Sequence, residues 1–73
     1  MNANMNSSSL QKTTLLDSRQ AAAHLSCSRQ WLAILRMNGA GPAYVKHGSW
    51  VRYRVSDLDA WIAQHRIAGG DAA

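Results

Sequence analysis

Three histidines and a single cysteine are the residues of this chain whose spacing could do chemistry, and His24 stands three positions before Cys27. That interval would suit two metal ligands, or a thiolate and its base. A structural zinc site needs four ligands, usually in closely spaced pairs, and His47 and His65 form no such pair. A nucleophile needs a shaped pocket, which neighbours at a helix end in a chain of 73 residues do not provide. No glycine-rich phosphate loop is present. The expectation is therefore no enzyme, no metal and no cofactor, with Cys27 read as a small buried hydrophobe in a turn.

The chemistry that remains is cationic. Eight Lys+Arg against four Asp+Glu give a net charge of +4 and a sequence pI near 10.0, which points to a polyanionic partner. Hydrophobic residues make up 47% of the chain, enough for it to fold as one small domain and not as a basic disordered tail. One cysteine cannot staple such a domain internally, so a reducing compartment, the cytoplasm, is expected. The first nine residues carry no positive charge and no apolar run of signal-peptide length, and no stretch approaches the roughly 20 apolar residues that span a bilayer.

Those cations must be positioned by short elements. Composition marks residues 1–14 and 68–73 as tails, leaving a domain over 15–67. Asp17 with Gln20 has the spacing of a capping box, predicting a helix over about Ser18–Leu25 with Ala21, Ala22 and Leu25 facing inward. Ser28 caps a second helix, Arg29–Met37, with Leu32 and Leu35 in the core; Asn38-Gly39 and Gly41-Pro42 end it. The period then changes to two. Tyr44–His47 and Trp50–Val55 around Gly48-Ser49 read as a hairpin, with Val51, Tyr53 and Val55 on one face and Trp50, Arg52 and Arg54 on the other. Ser56 is expected to cap a last helix that packs Leu58, Trp61 and Ile62 inward, with Asp57 and Asp59 near its positive end. The fold class is mainly α with a small β-hairpin: helix, turn, helix, two-stranded wing and C-terminal helix, the layout of a winged helix-turn-helix.

Several separately placed segments carry a closer likeness. Leu15-Leu16-Asp17-Ser18-Arg19-Gln20-Ala21-Ala22, Leu25-Ser26-Cys27-Ser28-Arg29-Gln30-Trp31-Leu32, Gly41-Pro42-Ala43-Tyr44-Val45-Lys46, and Val51-Arg52-Tyr53-Arg54 through Asp57-Leu58-Asp59-Ala60-Trp61 resemble the small MerR-like excisionase and AlpA-type regulators. The resemblance covers about Leu15–Arg66. It implies a recombination directionality factor of a mobile element or prophage, which binds and bends attachment-site DNA so that a tyrosine integrase works in the excisive direction. Its expected setting is the cytoplasm of a bacterial host, on the nucleoid.

By the same resemblance Ser28, Arg29, Gln30 and Ala33 fall at the start of the recognition helix, where arginine can pair with guanine and glutamine with adenine. Arg36, later on that helix, is expected at a phosphate. Lys46, His47, Ser49, Trp50 and Arg52 fall on the wing, with Arg52 the main backbone contact, and Arg19 is a further phosphate ligand. Trp31, Ile34 and Trp50 depart from the family pattern. As large apolar groups on outward faces, Trp50 and Ile34 are expected to touch a neighbouring protomer on DNA, whereas Trp31 is open between core packing and such a contact. The chain is too short for the dimerisation helix of larger relatives, so a monomer in solution that associates cooperatively on DNA is expected. Two rivals stand beside the excision role: transcriptional regulation on the same fold, and a protein-interaction module contacting an integrase or repressor. A membrane role is not expected, because no segment joins a long apolar face to a lysine-rich one.

Overall fold

The computed structural model describes residues 11–67; the remaining parts of the two expected tails, 1–10 and 68–73, lie outside the described residues. In chain order the elements are β1 (Leu15–Leu16), α1 (Ser18–His24), α2 (Arg29–Met37), β2 (Val45–His47), β3 (Trp50–Arg54) and α3 (Val55–Gln64). The three strands form an antiparallel sheet in the order β1-β3-β2. The helix-turn-helix, the wing and the C-terminal helix are all present. The sequence reading lacks only β1, a two-residue strand that places Leu15 opposite Arg54 and Leu16 opposite Tyr53.

Local chemistry explains why the first two helices begin and end where they do. Asp17 accepts from the Gln20 amide at 2.8 Å while the Gln20 side chain accepts from the Asp17 amide at 3.0 Å, closing the capping box. At the other end of α1, Ser26 takes a positive φ of 58°. The Ser26 and Cys27 amides turn back to the carbonyls of Ala23 and Ala22, the two bonds of a Schellman motif. The next helix repeats the pattern. Ser28 Oγ accepts from the Trp31 amide at 3.0 Å, and Gly39, at φ 69°, sends its amide and that of Ala40 to Arg36 and Leu35. Gly41 then presses on α2: a Cβ there would lie 2.9 Å from that of Leu35.

The core is Leu16, Ala21, Ala22, Leu32, Tyr53, Val55 and Leu58, with Leu25, Cys27 and Val51 packed against it. It sits where α1, α2 and α3 meet the strand β3. Cys27 is half-buried and not enclosed, and desolvation pushes its thiol above the usual range.

Three expectations for the last helix and its surroundings need correction. Ser56 is not the N-cap: α3 begins at Val55 with Arg54 in the cap position and no side-chain cap. The reason is a backbone substitute, because the Val55 and Ser56 amides donate to the carbonyls of Thr14 and Lys12 at 3.0 Å each. Residues 11–14, assigned to the tail by composition, thus form the turn that starts α3. Ile62 does not pack inward but is 43% exposed, and Trp61 is half-buried at the rim with its indole N–H donating to the Ala40 carbonyl. Seven-residue α1 meets α3 at the His24–Asp59 hydrogen bond.

Candidate nucleic-acid interface

The orientation of α2 follows from one anchor. Leu32 is buried, so at 100° per residue Gln30, Ala33, Ile34 and Met37 stand on the outward side, while Arg29 and Arg36, seven residues apart, share one flank. That flank faces the wing. Arg29 and Arg36 line a groove of about 320 Å³ with Arg19 near the start of α1 and with Ser49, Val51 and Arg52 of the hairpin; Asp17 is the one acidic side chain in the lining. Four guanidinium groups from three elements therefore converge on one open concavity. Among the described residues the ion pairs are those of Asp59 with Lys12 and His24, and none of the four arginines takes part in one.

Two of these arginines are held in place. Arg36 donates to the Tyr53 hydroxyl at 2.9 Å and lies 5.8 Å from the Tyr44 ring centroid. Tyr53 is fully buried, so its hydroxyl needs a partner, and the partner it finds fixes a cation at the groove. Arg52 lies 4.8 Å from the Trp50 ring centroid and donates to the Val51 carbonyl at 2.8 Å. Trp50 is thus half engaged as a platform for Arg52 while remaining 43% exposed.

The other expected site residues distribute around this groove. Gln30 and Ala33 line an adjoining concavity of about 410 Å³ with Ser18, Arg29 and Arg36. Ser28 is occupied in capping α2. Lys46 and His47 are exposed on β2, outside the groove lining, with the Lys46 ammonium 2.8 Å from the Gly48 carbonyl of its own turn and His47 opposite Trp50. Trp31, 51% exposed, stands on the flank of α2 away from Arg29 and Arg36, with Ile34 between it and the outward side.

Sequence reasoning missed Ser18, which lines both concavities, and the tyrosines behind Arg36. Ser18 was detectable as the residue following the Asp17 cap; the Tyr53 tie crosses 17 positions and carries no local signal.

The residues that suggested a metal site stay apart in function. His24 Nε2 donates to Asp59 Oδ1 at 2.8 Å, and Lys12 lies 3.3 Å from Asp59 Oδ2. The His24 hydrogen bond holds the Asp59 carboxyl below the usual carboxylate range, burial opposes it, and Lys12 adds to it. His65 stacks on Trp61 with ring centroids 4.3 Å apart and donates to the Trp61 carbonyl. Among the described residues no group of three His, Cys, Asp or Glu is placed to hold a metal ion, and no helix is long and apolar enough to cross a membrane.

Comparison with known proteins bears on the same stretch of chain. No curated protein matches this sequence. A family model described as a helix-turn-helix domain matches residues 15–66, from β1 through the wing to the end of α3, and such domains bind DNA in a regulatory and not an enzymatic role. With the arginine groove and the capped second helix inside that match, the chain belongs to the helix-turn-helix domain family of DNA-binding proteins.

Proposed function

We propose that this protein is an excision factor of a mobile element or prophage, acting in the cytoplasm on the nucleoid of a bacterial host. In this reading it binds and bends attachment-site DNA and directs a tyrosine integrase toward excision. The observation that carries it is the convergence of Arg19, Arg29, Arg36 and Arg52 from α1, α2 and the wing on one groove. Charge gathered from several elements neutralises phosphates on the inner side of a curved duplex, and those contacts offset the deformation energy of the bend. The family matched includes regulators of the AlpA and excisionase type.

Within the interface, α2 enters the major groove. Gln30 meets adenine and Arg29 a guanine at the edge of the contact. Arg36, Arg52 and Arg19 hold phosphates, and Ser28, Ser49, Lys46 and His47 contribute from the helix start and the wing. The protein is a monomer in solution that associates cooperatively on DNA, where Trp50 and Trp31 touch a neighbouring protomer; Ile34, expected at the same contact, lies on the outward side of α2 and turns to the bases instead.

Deletion of the gene tests the role. Loss of excision with integration intact is expected. Altered transcription from a neighbouring promoter with excision unchanged would overturn it in favour of a transcriptional regulator. Stoichiometric binding to an integrase or repressor with only sequence-indifferent DNA binding would overturn it in favour of an interaction module.

A further inference from the structure

The outward side of α2 is unusual for a helix bordered by four arginines. Gln30, Ala33, Ile34 and Met37 follow the i, i+3, i+4, i+7 spacing of a single face, opposite buried Leu32. This face carries one amide and three apolar side chains and no charge. Met37 is 80% exposed, more than any other large hydrophobic among the described residues. The cations border it on one side: Arg29 and Arg36 line both the arginine groove and the concavity they share with Gln30 and Ala33, and Arg36 is tied there by Tyr53. The phosphate-holding Arg36 and the apolar positions Ile34 and Met37 therefore fall on different sides of the same helix, with Arg29 at the edge between them.

We propose that this face selects A·T-rich DNA, with Ala33, Ile34 and Met37 packing on thymine methyl groups beside an adenine held by Gln30. The inference rests on the reading of α2 as the major-groove helix. The major groove offers one apolar feature, the C5-methyl of thymine, and the amide of glutamine matches the N6/N7 edge of adenine. Guanine asks for a cationic or bidentate donor, which this face lacks. From Gln30 to Met37 the helix rises about 10 Å, the length of about three base-pair steps. The contact is thus a run of about three A·T pairs, and burial of Met37 and Ile34 against methyl groups removes apolar surface that free protein leaves in water.

The test uses the full chain. Duplexes carrying a randomised segment are enriched by binding at a salt concentration near physiological, and each thymine of the selected site is then replaced singly by deoxyuridine, which removes only the methyl group. The expected result is an A·T core with one or more thymines whose replacement weakens binding about three- to fivefold, as loss of one buried methyl predicts. In Met37→Ala or Ile34→Ala, both exposed positions, the penalty of the corresponding replacement should shrink toward none. A core of G·C pairs, or indifference to every deoxyuridine, would overturn the proposal while leaving α2 as a recognition helix. Absence of any enriched sequence would overturn both.

Discussion

Ser26 carries an energetic cost that its neighbours absorb. Its φ of 58° lies in the left-handed region, which side chains other than glycine enter at a cost of about 1–2 kcal/mol, and the turn between α1 and α2 accepts that cost to make its two Schellman bonds. Ser26→Gly is expected to raise stability by a few tenths to about 1 kcal/mol, less than the strain relieved because glycine also gains freedom in the unfolded chain; thermal melts measure it. Gly41 has the opposite prediction. Its φ is ordinary, but an added Cβ would meet that of Leu35 at 2.9 Å, so Gly41→Ala should cost about 1–3 kcal/mol through forced separation of the loop from α2. Tyr53→Phe removes a single oxygen from a filled site. It should lower stability by about 1 kcal/mol and weaken DNA binding by releasing Arg36. If Tyr53 acts through Arg36, the DNA effect disappears when Arg36→Ala is already present, and a double-mutant cycle on binding reads that directly.

At the level of elements, what was legible in the sequence is what is local. The Asp17 box, the Ser28 cap, the Gly39 terminus and the Gly48 turn are each written within a few residues, and α2 runs over Arg29–Met37 as its caps require. Gly48 has a positive φ and Ser49 does not, the pattern of a two-residue turn with glycine first, so alternation across the hairpin placed Trp50 and Arg52 on one face correctly. The start of α3 was not legible, because its first amides are satisfied by Lys12 and Thr14, more than 40 positions earlier, and no residue type encodes a carbonyl partner. β1 and the exposure of Ile62 failed for the same reason: both depend on which distant element lies alongside. At the interface, the residue types of Arg19, Arg29, Arg36 and Arg52 announced a polyanion, yet their convergence on one groove is a property of the assembled fold. The junction between α1, α3 and the preceding turn also titrates. Asp59, tied to His24 and Lys12, has its carboxyl held below the ordinary value, so it contributes stability that is present above pH about 4 and lost as pH falls through its lowered pKa. The side chain is partly exposed, which keeps the effect small. Melting temperature should fall between neutral pH and pH about 3, and Asp59→Asn should be less stable at neutral pH and show a flatter acid limb.

For the whole molecule, the proposed DNA binding is electrostatic in affinity and steric in selectivity. A net charge of +4, with the four groove arginines free of carboxylate partners among the described residues, gives a duplex-binding surface whose affinity falls steeply with salt. Three arginine–phosphate contacts, from Arg19, Arg36 and Arg52, predict a log–log salt slope of about −3, and each of these arginines removed should reduce it by about one. In the proposed reading base selection belongs instead to α2, to Gln30 on its outward side with Arg29 at the edge. The measurement that bears most directly on this division is a binding titration of the full chain against attachment-site and unrelated duplexes at several salt concentrations, with Gln30→Ala, Arg29→Ala and Arg52→Ala alongside. Discrete, sequence-selective complexes are expected. Arg52→Ala should weaken all duplexes evenly and flatten the salt slope, while Gln30→Ala and Arg29→Ala should bring the specific site toward the unrelated one. Binding that smears, vanishes at moderate salt and ignores all three substitutions would contradict the account, because the positive charge would then be generic and neither the helix nor the wing would read DNA.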